Sequence, residues 1–88
     1  MNWVYRFDER ALKELKKLGH PAQQEIIAYL DTRVAGQADP QRFGKALQAD
    51  LAGLWRYRVG DYRILCQLKD RELLVLVVSV GHRKNVYR

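Results

Sequence analysis

A single cysteine, Cys66, leaves nothing from which to build a disulfide framework and fits a reducing cytoplasm. With only two histidines beside it, the chain has no Cys/His cluster at metal-ligand spacing. It also lacks a Gly-rich phosphate loop and a dinucleotide fingerprint. Its scattered carboxylates do not suggest a glycosidase pair. The longest apolar run, Leu73 to Val80, has the length of a strand and falls short of the roughly 18 residues of a membrane span. No secretory signal opens the chain. A cytoplasmic protein with no membrane partner is expected. Repeats, linkers and low-complexity segments are missing too, so residues 1–88 read as one small domain. A hydrophobic content of 48% is enough to fold it without staples.

Acidic residues are scarce, and unevenly so. Sixteen Lys/Arg against ten Asp/Glu give a net charge of +6. Residues 1–44 carry seven and six, a net of +1, whereas residues 45–88 carry nine and four, a net of +5. An excess gathered in one half favours a polyanionic partner, with nucleic acid first among them. An acidic protein partner and simple solubility are the alternatives.

The excess centres on Leu54 to Ile64. Trp55, Tyr57 and Val59 alternate with Leu54, Arg56 and Arg58, the two-residue period of a strand. Gly60-Asp61 then interrupts the pattern as a tight hairpin turn does. A two-residue loop there pairs Val59 with Tyr62, Arg58 with Arg63, Tyr57 with Ile64 and Arg56 with Leu65. Arg58 and Arg63 therefore face each other, with Arg56 on the same side. Like charges across a ladder are destabilising, a cost relieved when an anion fills the gap. Water and salt would also relieve it by screening. The residues alone leave both readings open: a phosphate-binding sheet face, or the solvated side of an amphipathic hairpin.

The rest of the chain frames this hairpin. Trp3 to Phe7 alternates as a first strand. Asp8 is an N-cap and Glu9 favours the positive end of the helix that follows. Ala11, Leu12, Leu15 and Leu18 form its apolar stripe, with Lys13, Glu14, Lys16 and Lys17 on a solvated side. Gly19 ends it. His20-Pro21 opens a second helix, with stripe Ala22, Ile26, Ile27, Leu30 and Val34. His20 reads as a capping or surface residue. Gln41 to Leu51 has mild helical character broken by Gly44, and Lys45 lies just ahead of the hairpin. Strands are expected near Gly53–Val59, Tyr62–Leu68 and Leu73–Val80. The last is apolar on both faces and should lie inside the sheet. Cys66 falls on the Trp55/Tyr57 face, as a small core residue. Trp55 and Tyr62 read as core packing.

Arginines, one terminal tyrosine and one histidine can still perform phosphoryl chemistry on RNA. The RNA 2′-OH can attack the adjacent phosphate, so the substrate brings its own nucleophile. The protein need only orient the groups, stabilise charge on the phosphate and help protons move. The planar donor fork of arginine suits the phosphate.

Asp50 to Ile64 closely resembles the core signature of RelE-type toxins of bacterial toxin–antitoxin pairs, within the RelE/ParE superfamily. Phe7 to Gly19 looks like the first helix of that family, and Ser79 to Arg88 like its closing motif. The resemblance implies an α+β RelE-like fold: an N-terminal strand, a helical hairpin, then an antiparallel run of about three strands packed on the helices. It implies an endoribonuclease, or mRNA interferase, that cleaves mRNA in the A site of the ribosome without metal or cofactor. It also implies a cognate antitoxin as partner, and operator DNA reached only through the antitoxin complex.

Site residues follow from the same resemblance. Arg56 and Arg58 stand where the best-known members have lysines, Arg63 follows the Gly-x-Tyr turn, and Arg83 and Tyr87 belong to the closing motif. The exchange of lysine for arginine keeps charge but shifts weight from acid–base work to charge stabilisation. His82 is a candidate auxiliary proton carrier, or a polar residue near a strand end. Lys45 and Lys84 join Arg56, Arg58 and Arg63 as candidate RNA contacts. Two other readings share the fold: a ParE-like toxin acting on DNA gyrase, and a catalytically inactive corepressor that binds the antitoxin.

Overall fold

The computed structural model describes residues 2–84. Five strands form one mixed sheet in the order β1-β5-β4-β3-β2: β1 (Val4–Phe7), β2 (Lys45–Ala46), β3 (Trp55–Val59), β4 (Tyr62–Lys69) and β5 (Leu74–His82). Helices α1 (Glu9–Lys17) and α2 (His20–Arg33) lie between β1 and β2 in the chain. The α+β class is as expected. The parallel pairing of β1 with β5 makes the sheet mixed, while β2 to β5 run antiparallel. β5 lies between β1 and β4, the interior position that its two apolar faces called for.

Local chemistry explains both helix starts. Asp8 accepts the Ala11 amide at 2.8 Å, satisfying one donor that has no partner inside the helix. Gly19, with φ of 88°, breaks the chain between the helices, and a proline then stands in the first turn of α2. Ala11 and Leu15 of α1, and Ala22, Ile26 and Leu30 of α2, are buried. Leu12 departs from the predicted stripe and is 41% exposed. It lies about 100° round the helix from Ala11, past the rim of a narrow buried stripe.

The segment Gln41 to Leu51, expected to be mildly helical, is broken further. It has two single 3-10 turns, Pro40–Phe43 and Ala49–Leu51, separated by the short edge strand β2. Gly44 leads into that strand because Tyr57 is close: an added Cβ would stand 3.1 Å from its ring. Tyr57 is fully buried, and its hydroxyl donates to the Pro40 carbonyl at 2.7 Å. That bond satisfies a polar group that would otherwise be costly to bury. Around Tyr57 the core gathers Ile26, Leu30, Val34, Val59, Ile64, Cys66, Val75 and Val77. The helices therefore cover one face of the sheet. Tyr5 ties β1 to α2 by donating to Asp31 at 2.6 Å. No helix among the described residues is long and apolar enough to cross a membrane.

Three core or tie groups hold their protons tightly. Burial pushes the Cys66 thiol and the Tyr57 hydroxyl up. Tyr5 is pushed up to about 12 by burial, then by its bond to Asp31 and that charge. A folded state that binds a proton more tightly is fully stabilised below the group's unfolded pKa. That stabilisation is lost as pH rises through the folded value. The urea midpoint should stay level to roughly pH 8.5, the ordinary thiol value, and fall steadily above it. Tyr5→Phe should flatten the part of the decline above roughly pH 10, the ordinary tyrosine value. A midpoint that rises above pH 9 would contradict this assignment.

Candidate functional site

Gly60 has φ of 58°, and positive φ at the first central position is what a type II′ turn requires. The turn pairs Val59 with Tyr62, Arg58 with Arg63, Tyr57 with Ile64 and Arg56 with Leu65. This is the register read from the sequence. Residues paired across a ladder share a face. Since Tyr57 and Ile64 are buried against the helices, Arg56, Arg58 and Arg63 belong to the outer face. Lys45 of β2 pairs with Arg56 and joins them.

Arg58 and Arg63 face each other but are not alike. Arg58 is exposed, whereas Arg63 retains only 8% of its surface. Arg63 Nη1 donates to the Gly60 carbonyl at 3.0 Å and the Tyr62 carbonyl at 2.9 Å. Bonds from a charged donor are the stronger kind, so these hold the guanidinium on the turn. The opposition foreseen from sequence is thus eased on one side by carbonyl oxygens. Arg58 is left to meet solvent or an anion.

Arg83 comes beside the hairpin turn just after β5, a strand with an irregularity. Leu65 pairs with Ser79 but Cys66 pairs with Val77, so Val78 is an extra residue, a β-bulge. Strict alternation from Val75 and Val77 would put Ser79, Gly81 and Arg83 on the helix side. The bulge reverses this. Val80 and His82 now pair with Ile64 and Tyr62 on the helix side, and Gly81 pairs with Arg63 on the outer side. The Arg83 amide donates to the Asp61 carbonyl at 2.7 Å, which fixes it beside the hairpin turn. Glu14 of α1 secures the strand just after the bulge. Its Oε1 accepts from Ser79 Oγ at 3.1 Å and from the Val80 amide at 3.0 Å. The sequence reading treated Glu14 as part of a solvated face. It is a β5-edge cap that no local signal marks.

The bulge has the opposite effect on His82. The structure sets its ring edge-on to Tyr62 at 6.1 Å, on the helix side, and does not bring it to the arginines. Its Nδ1 accepts the Lys84 amide at 3.3 Å. Lys84 is exposed just beyond β5. Tyr87 lies outside the described residues. Tyr62 packs against the core, as expected, and Trp55 is half-buried. No group of three His, Cys, Asp or Glu side chains suited to a metal gathers among the described residues. Arginines and one lysine line this face, a charge pattern suited to an anion.

Two helices thus cover one face of this sheet and cations line the other. The family model for the ParE toxin of type II toxin–antitoxin systems matches residues 5–87, and the chain belongs to that family, within the RelE/ParE superfamily. It is 31% identical to toxin RelG of Mycobacterium tuberculosis over all of this chain and 99% of that protein. It is 33% identical to the mRNA interferase toxin RelE of Escherichia coli, over 96% of this chain and 86% of that one. Among solved structures, a toxin–antitoxin RelBE complex of Mycobacterium tuberculosis superposes with a TM-score of 0.80. The sequence identity there is 29%, over 94% of this chain and all of that one.

Removing the Glu14 carboxylate tests the edge cap. Glu14→Ala leaves Ser79 Oγ and the Val80 amide without their acceptor and should cost about 1–3 kcal/mol in urea unfolding. Glu14→Gln keeps an acceptor oxygen and should cost markedly less. Equal and negligible losses in both variants would remove Glu14 from this role. The exposed Arg10–Glu14 pair, at 3.6 Å, adds little to either number.

Proposed function

We propose that this toxin is an mRNA endoribonuclease that acts in the A site of the ribosome, in the cytoplasm, without a metal. One observation carries the reading: Lys45, Arg56, Arg58 and Arg63 share one side of the sheet, and the Arg83 amide is bonded beside the turn that joins Arg58 to Arg63. The naming of an RNA-cleaving relative supports it.

The substrate's 2′-OH attacks the neighbouring phosphorus, and the bond to the 5′ oxygen of the next nucleotide breaks. A cyclic phosphate and a free 5′-OH result. One proton leaves the 2′ oxygen and one is delivered to the 5′ oxygen. The pentacoordinate phosphate carries more negative charge than the ground state. Preorganised cations aimed at it lower the barrier. Exposed Arg58 and Arg83 are assigned to its oxygens, with Arg56 and Lys45 holding flanking phosphates together with Lys84. Arg63 adds charge from a fixed position and holds the turn that carries Arg58. Proton transfer falls to Tyr87. His82 serves only if the end of β5 rearranges, since its ring lies across the sheet.

A cognate antitoxin would silence this face by covering it, and one solved relative is a toxin–antitoxin complex. Contact with operator DNA would come through that complex alone. The family model's ParE name favours a second reading, a gyrase-directed toxin whose cationic face binds protein.

Arg58→Ala and Arg83→Ala should each lower single-turnover cleavage of ribosome-bound mRNA by about 10²–10³-fold, the range for removing one charge-stabilising donor. The fold should be unaffected. Codon-positioned cuts in primer extension after induction support the ribonuclease. DNA damage with intact mRNA would replace it with the gyrase reading. Expression without antitoxin that leaves growth unchanged would make the protein a corepressor.

A further inference from the structure

A second cationic cluster lies beyond the arginine face, at the β2 edge. Arg33 closes α2, and Arg42 and Phe43 belong to the 3-10 turn before β2. The Arg33 guanidinium lies 5.0 Å from the centroid of the Phe43 ring and that of Arg42 lies 5.5 Å away. The ring is anchored from below. Phe43 packs against the core, and its carbonyl accepts the Tyr29 hydroxyl at 3.5 Å. Both arginines are exposed. Among the described residues the one ion pair joins Arg10 to Glu14, so neither cation has a carboxylate of its own. Asp39, close in sequence, caps the turn by accepting the Gln41 amide.

Stability alone accounts for part of this. A cation near the C-terminus of α2 meets the negative end of the helix dipole, and a ring face attracts a guanidinium. Two guanidiniums on one ring also repel each other, and an anion between them would relieve that. The chain links the cluster to the arginine face. Phe43 is followed by Gly44 and Lys45, and Lys45 pairs with Arg56. Cations beside an aromatic ring, in line with a cationic groove, are how proteins hold single-stranded nucleic acid. An acidic polypeptide would need the charge but not the ring.

We infer that Arg33, Phe43 and Arg42 form a second docking point for RNA phosphates, taking the strand beyond the residues held at the arginine face. The inference rests on the ribonuclease reading above. The ring fixes both guanidiniums before RNA arrives. The site contributes to affinity and orientation and takes no part in bond breaking.

The test uses the full chain and two probes, a fluorescent single-stranded RNA methylated at its 2′ oxygens and purified ribosomes, each titrated over a salt series. Counterion release gives a slope near −0.7 for each phosphate held on a single strand. The Arg33→Gln, Arg42→Gln double variant should therefore reduce the slope by about 1.4. A reduction with the free strand places the contact on the message; one seen only with ribosomes places it on ribosomal RNA. Phe43→Leu should leave the slope intact and weaken binding about two- to fivefold, through loss of the ring that orders the cations. Should the double variant not fold, Arg42→Gln alone should lower the slope by about 0.7. An unchanged slope with both probes overturns the inference while the ribonuclease reading stands. So does a loss of binding that appears only when polyglutamate is titrated as a third, control probe, which would assign the cluster to an acidic protein. Wild-type protein that binds neither probe overturns both.

Discussion

A strand's two-residue period decides which side of this molecule each residue of β5 serves, and one extra residue at Val78 resets it. Before the bulge, Val75 and Val77 fill the core beneath the helices. After it, Val80 takes over that task and the glycine opposite Arg63 turns outward. Arg83 follows in the turn after β5 and is pinned to the hairpin turn by its own amide. Without that reset the closing arginine would fall on the helix side and the histidine on the cationic side. Glu14 occupies the edge that β1 leaves uncovered, at the residues where the reset takes effect. The site is therefore assembled by backbone pairing, with helix α1 as its clamp.

Electrostatics then divides labour among like charges. The sheet forces Arg58 and Arg63 into register, and the turn's carbonyl oxygens take up one of them. The other stays in water. Such a pair is asymmetric by construction: one cation is an anchor and one is available. The core beneath tolerates the arrangement because its polar groups are answered internally, the Tyr57 hydroxyl by Pro40 above all. Arginine at positions 56 and 58 fits such a face, since a guanidinium keeps its charge where an ammonium among cations would tend to lose its proton.

Much of this was legible in the sequence where the signals are local. The Asp8 cap, the Gly19 break, the α2 stripe and the Gly60-Asp61 turn each act within a few residues, and the turn alone fixed the β3–β4 register. Three features were hidden for physical reasons. β5 is apolar on both faces, so its sequence carries no phase from which a bulge could be read. β2 has two residues and owes its strand geometry to Trp55 and Arg56 across the ladder. Glu14 reaches Ser79 and Val80 across 65 and 66 positions of chain, and a carboxylate among lysines on a helix looks solvated from sequence alone. Family likeness nominated Arg83 and drew attention to His82 beside it, but the phase of β5, and so the face that His82 takes, is set by the bulge.

The central claim is that RNA meets the outer face of β3, β4 and the end of β5, with helix α1 turned away. A two-dimensional NMR titration of isotope-labelled protein with a non-cleavable, 2′-O-methylated RNA tests it most directly. The account predicts amide shifts at Arg56, Arg58, Arg63, Gly81 and Arg83, with Lys13, Lys16 and Lys17 of α1 silent. Shifts confined to α1 and α2, with the arginine hairpin unmoved, would contradict it.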